Sequence, residues 1–267
     1  MRPLIGQLVT ICLVSLAGCG QAPQPAPTLD DILASNAEAR GGKALFESLQ
    51  AMRLEVHIEE PTFEVTGTYV ATREGLMRVD IYAGPQRAFS EALGPDGGWQ
   101  WRGGEPQTEA LSDQGNAALM RGVVSNLYAL YQWPGQGYRL ELATADPTSN
   151  YWQVEATHTD GFRQRFWIDR ESHLVVREME HSALHPDVDS VETDQYSKTL
   201  DWLVENGMRL PRTIEKIDAA TGEVIQRSTV LSAELAFEGS DPPEWLDEAH
   251  FRAPVFNQLD PSAQPAD

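Results

Sequence analysis

Alternation of apolar and polar residues constrains this chain more than any other feature of its sequence. In the stretch 54–58 every second residue is apolar, and Glu55 and His57 stand between them. The same alternation recurs in 63–71 and 77–81. A period of two puts alternate side chains on opposite faces of a strand, so that one face is buried and the other is wet. We therefore expect antiparallel strands that pack one face against a core.

Turn signals and one helical stretch organise these strands. Pro95–Gly98 and Thr159–Gly161 carry the glycine and aspartate residues that tight turns require. Between Asn116 and Pro134 the apolar residues instead follow helical spacing, which predicts a single helix ended by Pro134. Antiparallel strands with an inserted helix indicate an α+β, mainly-β fold.

A second helix is predicted where the folded part begins. Thr28 and Asp31 have the spacing of a capping box, which predicts a helix running toward Arg40. The pair Gly41–Gly42 should end it, because glycine is poor in helix interiors. From there we expect one domain over 29–254, followed by a loose tail over 255–267.

The first residues are typical of an export signal. An apolar run from Leu4 to Ala17 follows Arg2, and it is shorter than the roughly 20 residues that a bilayer-spanning helix needs. Leu16–Cys19 resembles the lipobox of bacterial lipoproteins, in which a lipid is attached to the cysteine. This predicts a signal peptide over 1–18, lipid attachment at Cys19 and a proline-rich tether over 19–28. The alternative is an ordinary signal peptide with an incidental cysteine.

Cysteine count and charge exclude several classes of function. The chain has two cysteines, and Cys12 lies inside the predicted signal, so we expect no disulfide and no cysteine-based metal site. The formal net charge of −20 disfavours nucleic acids and anionic membrane surfaces as partners. We predict no metal and no cofactor, and membrane attachment through the lipid alone.

Five stretches, taken in order, resemble the LolA/LolB family of lipoprotein carriers and their lipoprotein-sorting relatives. They are Arg40–Leu45 followed by Leu49 and Arg53, Arg73–Asp80, Asp96–Trp101, Phe166–Asp169 followed by Leu174–Met179, and Phe251–Pro254. The resemblance covers most of 29–254. It implies an antiparallel sheet curled into an incomplete barrel, with helices closing its mouth and a concave apolar face that holds acyl chains.

The resemblance also implies a function and a candidate site. We expect an envelope lipoprotein that binds a lipid or the acyl chains of lipoproteins. Gly20 after the cysteine, by resemblance to lipoprotein sorting rules, favours the outer membrane, facing the periplasm. The residues expected to line the cavity are Trp99, Trp101, Trp152 and Phe166. The alternative, which is the more frequent case for any single aromatic residue, is an ordinary core position.

No catalytic constellation stands out. The chain lacks the Gly-x-Ser-x-Gly elbow of esterases, and His181 and His185 lack the order of a zinc protease motif. We therefore predict that the protein is not an enzyme. The alternative function is a structural or envelope-sensing lipoprotein that uses the same sheet to bind a protein partner, whose identity the sequence does not give.

Overall fold

A computed structural model describes residues 26–255, except 145 and 147. The predicted signal peptide, Cys19 and most of the tether lie outside the described residues, as does the tail beyond Val255. Among the described residues, no helix is both long and apolar enough to cross a membrane.

One antiparallel sheet of 13 strands dominates the described chain. Its strands follow each other in chain order on either side of the first strand, and the sheet order is β6-β5-β4-β3-β2-β1-β13-β12-β11-β10-β9-β8-β7. The strands are β1 (Leu49–Glu60), β2 (Phe63–Thr72), β3 (Met77–Ala83), β4 (Gln86–Gly94), β5 (Gly97–Arg102), β6 (Glu109–Ala110), β7 (Tyr138–Leu142), β8 (Tyr151–His158), β9 (Arg163–Asp169), β10 (Val175–His185), β11 (Asp189–Glu205), β12 (Met208–Asp218) and β13 (Val224–Phe237).

Strand β1 joins the two halves of the sheet. Leu54 stands opposite Tyr69 of β2 on one side and opposite Ala233 of β13 on the other. Strands β6 and β7 form the two edges, so the sheet is not closed into a barrel. The predicted mainly-β fold is confirmed.

The first helix is built as the sequence predicts. Helix α1 spans Leu29–Ala39, and both hydrogen bonds of the capping box are present: Asp31 N–H donates to Thr28 Oγ1 (3.2 Å), and Thr28 N–H donates to the Asp31 carboxylate (2.9 Å). The chain then turns at Gly41, whose φ of 122° and close approach to Gly207 O leave no room for a side chain. Helix α2 (Lys43–Ser48) follows and leads directly into β1.

The single helix predicted between Asn116 and Pro134 is wrong. Helix α3 spans Asp113–Leu127, and a separate 3₁₀ helix covers Leu130–Gln136, with Pro134 inside it. The backbone is extended at Tyr128, between the two. A side chain from the β2–β3 turn explains the break: Arg73 donates to Leu127 O (3.2 Å), and its guanidinium lies over the Tyr128 ring at 4.3 Å.

The helices pack on the concave face of the sheet, and the main core lies between them. Val123 and Leu127 of α3, Ile32 of α1 and Trp133 of the 3₁₀ helix all belong to this core. So do residues from β3 and from β8, which are far apart in the sheet order; they include Val79 and Val154. Strands so distant can share one core only because the sheet curls around the helices.

The β10–β11 hairpin draws the two halves together across the open side. Its turn carries Asp187, whose carboxylate accepts a hydrogen bond from Ser112 N–H (3.0 Å) just before α3. Arg102 of β5 donates to the backbone carbonyl of Asp187 (2.7 Å). These contacts fix the N-terminus of α3 against the far half of the sheet.

Candidate functional site: a cavity on the concave face

A cavity of about 420 Å³ lies between the break after α3 and the concave face of the sheet. Most of its wall is apolar and comes from β1, β2, β9 to β13 and the segment 128–133. The larger apolar residues of the wall are Met52, Leu54, Val56, Tyr69, Tyr128, Leu130, Trp133, Phe166, Val175, Trp202, Leu210, Ile214 and Val230.

One side of the cavity is polar, and its four polar residues continue from Phe166 in a single row across the sheet. Phe166 of β9 stands opposite Glu178 of β10, which stands opposite Ser197 of β11. The row continues through Lys216 of β12 to Gln226 of β13. All five side chains line the cavity. The strands β10 to β13 therefore turn polar residues inward, unlike β1 and β2.

Glu178 occupies the centre of this polar row. Burial raises its pKa to about 7, and the negative charge of Glu180 adds to the rise while Lys216 opposes it. Lys216 pairs with Glu180 at 3.3 Å, and Glu180 also accepts hydrogen bonds from Ser182 (2.9 Å) and Gln164 (3.2 Å). Lys216 is thus paired with Glu180, and Glu178 has no ion-pair partner among the described residues.

The cavity also reaches a gap in the sheet. Strands β12 and β13 pair only between Thr213–Ile217 and Val224–Thr229. Beyond that pairing the two strands diverge, and Leu210 and Val230 from the diverging segments border the cavity. Arg40 lies here; its carbonyl accepts a hydrogen bond from Arg209 N–H (2.8 Å), and burial lowers the pKa of its guanidinium to about 10.

The four aromatic residues predicted to line the cavity are distributed between different places. Phe166 lies in the cavity wall, is 3% exposed, and meets the Trp133 ring edge-to-face at 5.2 Å between centroids. Trp152 packs against the same core on β8, but it lies outside the cavity wall, with the Arg170 guanidinium 3.9 Å above its ring.

Trp99 and Trp101 require a correction, because they lie on the convex face. Gln100, between them, stands in register with Glu91 and so shares the concave face with Tyr69, whereas the two tryptophans point the other way. They form a separate small core with Ala92.

The C-terminal segment covers this convex core. Phe251 is fully buried, and its carbonyl accepts a hydrogen bond from Trp99 Nε1 (2.9 Å). Arg78, which stacks on Trp99, donates to the carbonyl of His250 (2.6 Å). The aromatic side chains of β5 are therefore structural.

Sequence reasoning missed the tryptophans that do line the cavity. Trp133 lies in the 3₁₀ helix, which the helical pattern absorbed as the end of a longer helix. Trp202 lies on β11 beyond two irregularities in its pairing with β12, which reverse the simple alternation of faces. Glu178 was missed because an acidic residue on a strand is ordinarily assigned to the wet face.

A possible metal-ligating group occurs on β1 and β2, away from the cavity. The ligand atoms of His57, Glu59 and Glu64 lie within 4.8 Å of one another. Both carboxylates are exposed, and Glu59 also pairs with Arg227 at 3.7 Å. Solvent and this ion pair account for the group without a metal.

The comparisons with known proteins concern the fold. The sequence itself matches no family model and no curated protein. A solved LolA superfamily protein from Nitrosomonas europaea superposes with a TM-score of 0.53 at 16% identity, over 82% of this chain and 96% of that chain. The fold is LolA-like. A DUF1329 family protein from Desulfovibrio piger gives a TM-score of 0.51 at 11% identity, over 84% of this chain and 98% of that chain.

Proposed function

We propose that the protein is a lipid-anchored envelope protein that binds acyl chains of a lipid or a lipoprotein in the concave cavity. The observation that carries this proposal is the cavity itself: a mostly apolar space of about 420 Å³ enclosed by a LolA-like sheet and its helices. Ligand cavities in proteins run from about 300 to 1,000 Å³ and are lined in this way. Its role would be binding or transport, not catalysis.

The driving force for such binding is removal of apolar surface from water. Each buried methylene contributes about 0.8 kcal/mol, so a chain of several methylenes gains enough to offset the entropy lost on binding. The wall formed by Leu54, Val56 and Val230 offers that surface. The LolA/LolB resemblance of the sequence points to the same class of ligand.

Cys19 would hold the domain at the membrane. The lipobox resemblance motivates this part of the proposal, and Gly20 favours the outer membrane. When cells are given a labelled fatty acid, the protein carrying Cys19→Ser should take up no label, because the cysteine that carries the lipid is gone. Unchanged lipid labelling of this variant would refute the anchor.

Lipid bound during expression tests the cavity. Organic extracts of the purified Cys19→Ser protein should contain a stoichiometric amphiphile by mass spectrometry. Thr199 lines the cavity and donates no side-chain hydrogen bond in the described structure, so Thr199→Trp should fill the space and remove the lipid.

The neighbouring position supplies a matched control. Leu200 is 45% exposed and does not line the cavity, so Leu200→Trp should leave the bound lipid in place. Equal lipid content in both variants, or none in the parent, would contradict acyl-chain binding in this cavity.

A protein-binding role is the second candidate, and the open edge of the sheet favours it. Within the described residues, β7 pairs only with β8, so one side of Tyr138–Leu142 has unpaired backbone groups that another strand could join. An empty parent protein that captures an extended peptide, and loses it when Leu140→Pro removes an edge N–H, would support this role.

A further inference from the structure

Among the described residues, Glu178 is the one carboxylate of the cavity wall, and no base of that wall forms an ion pair with it. Glu180 is fully engaged, with Lys216, Ser182 and Gln164 around its carboxylate. Glu178 lines the cavity, yet no side chain donates a hydrogen bond to it in the described part of the chain. A partly buried carboxylate without a partner is costly, so it invites either a proton or a cation.

The other charged groups of the cavity do not satisfy Glu178. Arg212 pairs with Asp201 at 3.7 Å, and the Arg177 guanidinium lies between the rings of Trp167 (4.6 Å) and Tyr196 (4.0 Å). Arg40 donates to Arg209 O. The charge of Glu180 raises the pKa of Glu178, and that of Lys216 lowers it.

The neighbouring strands present uncharged groups to the same carboxylate. Phe166 stands opposite Glu178 on β9, and Ser197 stands opposite it on β11. Gln226 of β13 closes the row beyond Lys216. A carboxylate beside a hydroxyl, with an apolar wall next to them, has the composition of a head-group site.

We propose that the ligand of this cavity is an amphiphile with a cationic head group, in the simplest case a primary ammonium, which pairs with Glu178 while the chain lies against the apolar wall. The inference rests on the proposed function and narrows it. The ligand ammonium would supply the missing positive charge, and the Ser197 hydroxyl, directly opposite Glu178, would accept one of its remaining hydrogens. An anionic head would instead be repelled by the Glu178 carboxylate.

The charge state of Glu178 should make this preference depend on pH. Burial raises the pKa of Glu178 to about 7, so its ionised fraction increases between pH 6 and pH 8. A primary amine, whose pKa is about 10.4 in a lysine side chain, stays charged throughout. Affinity for a cationic amphiphile should therefore rise over this range, and affinity for a neutral one should stay flat.

Three ligands with the same chain length and different heads test the proposal. Dodecylamine, dodecanol and laurate are titrated below their aggregation limits into the Cys19→Ser protein without the signal residues 1–18. Tryptophan emission, to which Trp133 and Trp202 in the cavity wall contribute, is the signal. Salt at 150 mM, where the screening length is about 8 Å, suppresses attraction of the amine to the acidic surface. At pH 8 we expect dodecylamine to bind at least tenfold more tightly than dodecanol, and laurate to bind most weakly.

Two variants locate the preference. Glu178→Gln should weaken dodecylamine at least tenfold and leave dodecanol within twofold, which also shows that the cavity is intact. Glu223→Gln removes the same charge from an exposed turn and should change neither affinity. The parent titrated at pH 6 and pH 8 tests the dependence on charge without any substitution.

The outcomes distinguish the preference for a cationic head group from acyl-chain binding itself. Equal affinities of the parent for dodecylamine and dodecanol, an unchanged amine affinity in Glu178→Gln, or a flat pH profile for the amine would overturn the cationic head group while dodecanol binding still upholds the cavity. Failure of all three ligands to bind would contradict both the cationic head group and acyl-chain binding in the cavity.

Discussion

Two glutamates on the concave face are held in surroundings that favour their neutral form. Burial raises the pKa of Glu178 to about 7, with the charge of Glu180 as the second cause. Burial likewise raises the pKa of Glu91 to about 7, with Asp187 contributing repulsion. Both carboxyls bind a proton more tightly in the folded protein than in the unfolded chain, where the pKa of glutamate is about 4.3.

These raised pKa values set a direction for stability against pH. Below about pH 4.3 both carboxyls are protonated whether the chain is folded or unfolded, and their contribution is fully present. It is lost as the pH rises toward 7, because the unfolded chain ionises first. Glu178→Gln and Glu91→Gln should each flatten the fall in unfolding free energy between pH 4.5 and 7, measured by urea titration at several pH values.

A surface glutamate provides the comparison for this prediction. Glu223→Gln should leave the slope unchanged, since that side chain is exposed. A slope in either buried variant as steep as that of the parent would show that the carboxyl is solvated in the folded protein.

At the scale of elements, one arginine joins three of them. Arg73, on the β2–β3 turn, donates to Leu49 O at the start of β1 and to Phe46 O in α2. It also donates to Leu127 O at the end of α3. A single guanidinium therefore satisfies carbonyls that the ends of two helices would otherwise leave unpaired.

Removal of this side chain should loosen the helices from the sheet. Hydrogen bonds to a charged group contribute about 1.5–3 kcal/mol each, and the abandoned carbonyls add to the loss, so Arg73→Ala should lower the unfolding free energy by about 3 kcal/mol or more. Arg73→Lys should recover only part, because an ammonium lacks the planar fork. Arg139→Ala, at an exposed pair with Glu141, should cost less than about 1 kcal/mol in the same urea titration.

The C-terminal segment is a second element with a separate structural role. Phe251 is fully buried against the convex face, over Trp99. Truncation of a buried phenylalanine costs about 3–5 kcal/mol, so Phe251→Ala should destabilise the protein strongly. Below the new unfolding transition, its affinity for dodecanol should match that of the parent, because the cavity lies on the other face. Selective loss of affinity in a folded Phe251→Ala protein would place the convex core in the binding site.

At the scale of the whole molecule, local patterns predicted the elements better than their arrangement. The capping box at Thr28 and the alternation in β1 to β3 depend on neighbouring residues, and both were predicted from the sequence. The face of the sheet that Trp99 occupies depends instead on the register of five strands and on a segment about 150 residues later, which alternation alone does not contain.

Alternation also fails to predict which polar residues of the sheet face the cavity. Alternation assigns Glu178 and Lys216 to solvent, yet the curl of the sheet turns them toward the cavity. The cavity is amphiphilic because the curled sheet brings the polar residues of β10 to β13 and the apolar residues of β1 into one wall. The LolA-like fold supplies the enclosure, and this chain's own residues determine its polarity.

Photolabelling tests the central claim, that an acyl chain lies in the concave cavity, most directly. A dodecylamine carrying a diazirine at the far end of its chain is irradiated with the Cys19→Ser protein, and tandem mass spectrometry locates the adduct. We predict labels on concave residues such as Leu54, Ile214 and Val230, and their loss in Thr199→Trp but not in Leu200→Trp. Labels concentrated around Trp99 on the convex face, or labelling that Thr199→Trp does not reduce, would contradict the account.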